Sequence, residues 1–138
     1  MTTPTSDEVI AVARSWLGVP YRHQSASRER GVDCIQFVLA VGRELGLCES
    51  LPIAPYPMAN SPRKILTLLQ AHGEAVEGRP GVVMFWGRRK GVPTHFGIRS
   101  ELHGEIAVIH ADAQLLKVVE HRIPAEQLSL VHSYWWFR

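Results

Sequence analysis

The chain changes character at Gly81, and that change does most to limit the folds open to it. Before this point apolar residues recur at helical spacing. After it come short β-branched and aromatic runs separated by turn formers. Helices first and an antiparallel meander afterwards make an α+β arrangement. The first helix is expected from about Ser6 to Leu17, where Val9, Ile10, Ala13, Trp16 and Leu17 follow the helical period. Thr5 and Glu8 have capping-box spacing, and Gly18 and Pro20 stop the helix. Tyr21 to Val32 is polar and without a period, so it is expected to be a loop. A second helix is expected to start at Cys34, with Asp33 as N-cap, Ile35, Val38, Leu39 and Leu45 on one face, and Gly46 just past its end.

Leu51 to Asn60 carries three prolines and is expected to be an extended connector. Ser61-Pro62 then has the form of an N-cap and first helical residue, for a third helix closed by Gly73. Strands are expected over Val82–Trp86, His95–Ile98, Ile106–His110, Leu115–Glu120 and Leu130–Phe137, with a single helical turn at Pro124–Leu128. The expected whole is a single domain over residues 1–138, its N-terminal helices packed on a five-stranded antiparallel sheet. A length of 138 residues suits one hydrophobic core, and 46% hydrophobic with 20% charged residues is the composition of a globular protein.

Charge narrows the partners. A net charge of +2 with scattered basic residues gives no footprint for nucleic acid. Arg88-Arg89-Lys90 forms the one basic cluster; it reads as a solvated turn, or as a contact for an anionic polymer. No run approaches the ~20 apolar residues needed to cross a bilayer, so no membrane insertion is expected. Met1 to Glu8 is polar and acidic, without the features of a secretory signal, so the expected location is the cytoplasm, unless something carries the protein elsewhere. The two cysteines, Cys34 and Cys48, do not amount to a disulfide framework, and Cys48 reads as a semi-buried free thiol.

Cys34 is the residue with chemistry to offer. A thiol attacks as its thiolate, and the positive end of a helix dipole favours that anion. The first turn also has backbone N–H groups with no partner inside the helix, suited to an oxyanion. Such a cysteine needs an imidazole, and the imidazole needs a third group to orient it. His95 opens one expected strand and His110 closes the next. A turn centred between Leu102 and His103 sets these two directly opposite each other. A two-residue turn at His103-Gly104 sets Gly97 opposite His110, with His95 diagonal but on the same face; an odd loop or a bulge would separate them. Five further histidines, His23, His72, His103, His121 and His132, leave room for coincidence. Cys34, His95 and His110 could instead be three zinc ligands, but the chain has no close ligand pair of the Cys-x-x-Cys or His-x-x-x-His kind, so no metal or other cofactor is expected.

Four blocks in order carry a resemblance: Leu17-Gly18-Val19-Pro20-Tyr21, Gly31-Val32-Asp33-Cys34, Thr94-His95-Phe96-Gly97-Ile98 and Val108-Ile109-His110-Ala111. They resemble the NlpC-type cell-wall cysteine peptidases, over about Ser6 to Val119, and Tyr21-Arg22-His23-Gln24 is similar to the compact subgroup encoded by phages and prophages. The resemblance implies a reduced papain-like fold and cleavage of amide bonds in peptidoglycan stem peptides, often between γ-D-glutamate and the following diamino acid. It implies Cys34 as nucleophile, His95 as base and His110 as the group that orients the base, with Tyr21 and Asp33 facing substrate. It further implies delivery to the wall by a virion and phage tail proteins as partners. Two departures stand out. Ile35-Gln36 replaces the Ser-Gly that follows the cysteine in many members, so the hydrogen bond by which that serine helps hold a free substrate amine is lost; His23-Gln24-Ser25 replaces an aromatic-Gly-Gly run, which alters the groove. A thiol acyltransferase or amidase with another substrate, and a tail structural protein with a vestigial site, are the alternative readings. Tyr134-Trp135-Trp136-Phe137 reads either as a docking patch or as a strand packed on both faces.

Overall fold

The computed structural model describes residues 3–47, 67, 70–71, 73–87, 89, 91 and 94–137. Helix α1 spans Ser6–Arg14. The Thr5 hydroxyl accepts from the Glu8 N–H at 3.1 Å, while the Glu8 carboxylate accepts from the Thr5 N–H at 3.3 Å, the reciprocal cap the sequence spacing predicts. The helix stops at Arg14 rather than Leu17, because Gly18, at φ +87°, turns the chain so that its N–H reaches the Val118 carbonyl. The stretch expected to be a loop contains a small hairpin, β1 (Ala26–Ser27) with β2 (Gly31–Val32). Helix α2 spans Cys34–Glu44 with Asp33 as its N-cap, as the sequence predicts.

The remaining elements are β3 (Gly73–Val76), β4 (Val83–Trp86), β5 (His95–Leu102), β6 (Glu105–Asp112), β7 (Lys117–Arg122), the helical turn α3 (Ala125–Leu128) and β8 (Val131–Phe137). Six strands, all antiparallel, lie in the order β3-β8-β4-β5-β6-β7. The sixth strand, β3, corrects the expectation of five. It begins at Gly73, the residue read as a helix terminator, and only its long-range pairing with β8, Gly73 opposite Phe137 through Val76 opposite Tyr134, makes it a strand. Most of the expected third helix and the whole proline-rich connector lie outside the described residues, as do Cys48, Arg88 and Lys90; Thr67, Gln70 and Ala71 are helical. β7 begins two residues later than expected. The Asp112 carboxylate accepts from the Gln114 and Leu115 N–H groups at 2.7 and 3.2 Å, which prolongs the turn to Leu116 at φ +60°.

Alternation along the strands builds a core on each face. Val83, Phe85, Phe96, Ile98, Ile109, Ala111, Val118 and Trp135 pack with Val9, Ala13, Phe37, Val38 and Val41 of the two helices. The opposite face carries a smaller cluster of Met84, Val108 and Ile123, with Trp86, Leu128, Val131 and Tyr134 against it. The aromatic end of the chain is thus the packed strand of the two readings: β8 lies between β3 and β4, Tyr134 joins the small cluster, and Trp135, Trp136 and Phe137 join the main core.

One strap connects the start of α2 to the sheet. Gly18 donates to the Val118 carbonyl at 3.0 Å, Val118 to Val19 at 2.9 Å, and Tyr21 to Leu116 at 2.8 Å, so residues 18–21 run along the outer edge of β7. The same strap pairs on its other side with β2: Val32 donates to Pro20 at 2.9 Å and Arg22 to Val32 at 3.1 Å. Cys34 follows two residues later. Arg28 locks the helices to this strap region: its guanidinium donates to the Ser15 carbonyl at 2.8 Å and the Glu44 carboxylate at 2.6 Å, and lies 4.4 Å from the centre of the Trp16 ring.

Gly31 is required by this close approach. At φ +134° a Cβ there would stand 2.7 Å from both the Pro20 carbonyl oxygen and the Arg22 Cβ, whereas Gly46, at φ +73°, faces open space. Gly31→Ala should therefore cost more than about 2 kcal/mol, against about 1 kcal/mol for Gly46→Ala, where only the backbone conformation is penalised. Urea denaturation of the two variants measures the difference; equal losses would mean that the strap tolerates displacement.

Candidate active site

Four consecutive strands carry one side chain each to the same face of the sheet. Trp86 ends β4, directly opposite His95 at the start of β5. The β5–β6 hairpin turns at His103-Gly104, with Leu102 opposite Glu105 and Ile98 opposite Ile109, which is the two-residue register. Continued by one pair, it sets Gly97 across from His110 and leaves His95 diagonal on the same face. The geometry meets the stated condition: His95 Nε2 lies 2.7 Å from His110 Nδ1. On β7, His121 pairs with Val108, two residues from His110 on the shared face, and its Nε2 lies 2.8 Å from His110 Nε2.

Gly97 makes the His95–His110 contact sterically accessible. A Cβ there would lie 2.7 Å from the His110 Cβ and 2.5 Å from the Ile109 carbonyl oxygen. Trp86 covers the pair, its ring centre 4.8 Å from that of His95 and 5.4 Å from that of His110, both edge-on. The ladder between β4 and β8 shifts register between Phe85 and Trp86, a bulge of the kind that re-aims a side chain beside a site.

A cleft of about 510 Å³ opens at this end of the sheet, lined by Cys34, Tyr21, His95, His110, Trp86 and His121 among others. The Cys34 side chain is buried at 2% exposure, yet it borders this cleft at the head of α2. Asp33, next to it, is placed differently from Tyr21. Its carboxylate is also 2% exposed, accepts from the Gln36 N–H at 2.8 Å and the Gln24 N–H at 2.6 Å, and does not line the cleft. It ties the helix start to the loop that follows Tyr21. Ile35, where many NlpC-type peptidases have serine, is buried in the main core.

Burial sets the charge states. Loss of hydration pushes His95 down to about 4, Asp112 offsetting this in part and His121 adding to it. His110 is lowered further, by burial first and by the neighbouring His95 and His121 rings next. Burial, with the charges of Cys34 and Asp33, raises the Tyr21 hydroxyl to about 12, so it stays a hydrogen-bond donor. Among the described residues, no group of three His, Cys, Asp or Glu side chains is arranged to hold a metal ion, and no helix is long and apolar enough to cross a membrane.

No protein-family model matches the chain, and no curated protein is significantly similar to it in sequence. Solved structures are more informative. An NlpC/P60 family protein from Bacillus cereus superposes with a TM-score of 0.67 at 19% identity, over 96% of this chain. This is the NlpC/P60 fold. This chain spans only 40% of that Bacillus protein. Two compact structures agree nearly end to end: the NlpC/p60 domain of the peptidoglycan hydrolase SagA, with a TM-score of 0.59 at 19% identity over 95% of this chain and 97% of that one, and an N-acetylmuramoyl-L-alanine amidase from Bacteroides uniformis, with 0.59 at 14% over 94% and 97%. The α+β, papain-like architecture expected from the sequence is the one observed.

Of the residues singled out in the sequence, Cys34, His95, His110 and Tyr21 come together at one cleft, and Asp33 supports it from below. Trp86 and His121 were missed. Both stand on the histidine face, and the only signal for His121 was its place two residues along from the partner of His110, visible once the β6–β7 register is known.

Neutral, desolvated imidazoles make stability depend on pH. His95 and His110 titrate lower in the fold than in the unfolded chain, at ~6.5, so their contribution is complete above that value and is lost as pH falls below it, toward about 4 for His95 and about 2 for His110. The urea midpoint should therefore fall on acidification from pH 7.5 to 4.5, and His110→Asn, which cannot take up a proton, should flatten that slope. Equal slopes in the two proteins would rule out a neutral, desolvated His110.

Proposed function

We propose that this protein is a thiol-dependent hydrolase that cleaves amide bonds in peptidoglycan stem peptides. The observation that carries the reading is the cleft bordered by a helix-head cysteine and a hydrogen-bonded histidine pair, in a chain with the NlpC/P60 fold. SagA is described as a peptidoglycan hydrolase and the Bacteroides protein as an N-acetylmuramoyl-L-alanine amidase, which supports the substrate class.

In this mechanism His95 takes the Cys34 proton on Nδ1, since its Nε2 is engaged with His110. The sulfur attacks the amide carbonyl, and the oxyanion is held by N–H groups of the first turn of α2 together with the Tyr21 hydroxyl. Collapse breaks the C–N bond, His95 returns the proton to the leaving amine, and a thioester remains on Cys34. Water, deprotonated by His95, then hydrolyses the thioester and the thiol is restored. Burial keeps His95 unprotonated at neutral pH, so a ring nitrogen lone pair is available to the thiol. Asp33 acts by fixing the helix start, rather than by touching the substrate.

The bond between γ-D-glutamate and the diamino acid is the cut we assign, with delivery by a phage tail as the route to the wall. The first rests on the resemblance carried by the four sequence blocks, the second on the likeness of Tyr21-Arg22-His23-Gln24 to the phage-encoded subgroup. One observation favours a second substrate class: Ile35 provides no hydrogen bond for the free amine of a trimmed stem peptide and is buried. An amidase or acyltransferase with another acyl donor would leave a thioester on Cys34, which mass spectrometry would capture with that donor alone.

Purified protein on defined muropeptides provides the test. Cys34→Ala and His95→Ala should each lower kcat by about 10³-fold or more, and iodoacetamide should label Cys34 well ahead of Cys48 below neutral pH. Unchanged hydrolysis in the two variants would remove the mechanism.

A further inference from the structure

The histidine row does not end at His110. His121 Nε2 lies 2.8 Å from His110 Nε2, and its Nδ1 lies 2.9 Å from the Arg122 backbone carbonyl oxygen. A carbonyl can only accept, so His121 Nδ1 carries a proton. A neutral imidazole has one donor and one acceptor, and fixing one nitrogen therefore fixes the other. His121 Nε2 must accept, which makes His110 Nε2 the donor. His110 Nδ1 then accepts from His95 Nε2–H at 2.7 Å, and His95 Nδ1 is left with its lone pair.

We propose that His121 is a positioning residue: anchored on the Arg122 carbonyl, it sets the direction of every proton in the row, so that His95 presents an unprotonated Nδ1 to Cys34. This rests on the reading of Cys34 and His95 as nucleophile and base. His121 itself touches neither reacting atom. The alternative order has the same heavy-atom positions. With His110 protonated on Nδ1 and donating to His95 Nε2, His95 would carry its proton on Nδ1 and have no lone pair for the thiol. The two orders differ by which way three ring protons point, and among the described residues the backbone carbonyl of Arg122 is the group in the row that breaks the tie, because it alone has no donor form. The small β6–β7 register error that a one-residue slip would introduce would turn His121 to the other face and remove the anchor.

Two variants separate this role from simple packing. His121→Leu fills the space and offers no acceptor, while His121→Gln places a carbonyl oxygen where Nε2 was and still accepts from His110. In ¹⁵N-labelled protein, ring-nitrogen shifts should place the wild-type protons on His121 Nδ1, His110 Nε2 and His95 Nε2. In His121→Leu the His95 proton should shift toward Nδ1 and kcat on muropeptides should fall about 10–100-fold with KM little changed; His121→Gln should restore both to within about threefold. A wild-type His95 protonated on Nδ1 would overturn the inference, as would an unmoved His95 proton in His121→Leu, or equal losses of kcat in the two variants. Should His121→Leu not fold, the wild-type shifts and the His121→Gln protein decide alone. The resonance measurement needs no substrate, so wild-type inactivity on muropeptides would sink the hydrolase reading, while the proton order would still stand or fall by the shifts.

Discussion

Everything at the candidate site depends on the backbone hydrogen bonds of residues 18–22. The nucleophile and the imidazoles come from different layers: Cys34 from a helix on one side of the sheet, the histidines from the opposite face. Side-chain packing alone would leave their relative placement soft. The strap removes that freedom, because its carbonyl and N–H groups are committed to β7 on one side and to β2 on the other. Cys34 is then only two residues from Val32, which the strap joins to the strand that carries His121. Asp33 finishes the task by accepting backbone N–H groups from both the strap loop and the first turn of α2.

The second constraint is dryness. Trp86 lies edge-on over the His95–His110 pair, and Gly97 leaves the gap through which the two rings meet. Excluding water lowers the affinity of both rings for a proton, and it strengthens the hydrogen bonds that remain. A ring that stays neutral keeps a defined donor and a defined acceptor. Geometry and charge state are thus two results of one packing arrangement, and neither would survive without the other.

Much of this was legible in the residues. The helix heads could be read because Thr5, Glu8 and Asp33 act on their own neighbours, and local capping chemistry does not need the rest of the fold. The His95–His110 pairing could be framed because a hairpin turn fixes its own register, and His103-Gly104 left two even registers that both kept the rings on one face. What escaped detection was non-local. β3 is a strand only because β8 lies beside it, and the role of His121 depends on a second hairpin whose turn Asp112 lengthens by side-chain hydrogen bonds. Trp86 carries no pattern of its own, since its value to the site comes from its pairing with His95 across β4 and β5. The loop assigned to residues 21–32 proved to hold β1 and β2 for the same reason: two-residue strands give no periodicity to read.

The strap has one more effect, on how copies of the chain meet each other. A sheet edge with unpaired N–H and C=O groups is a template for another strand, and β7, at six residues, would be such an edge. Residues 18–21 already cover its beginning, at Leu116 to Val118. The opposite edge, β3, is only four residues long and presents an exposed Glu74. Thus the segment that delivers the cysteine also covers the start of the sheet's longer border and leaves less of it open to another strand.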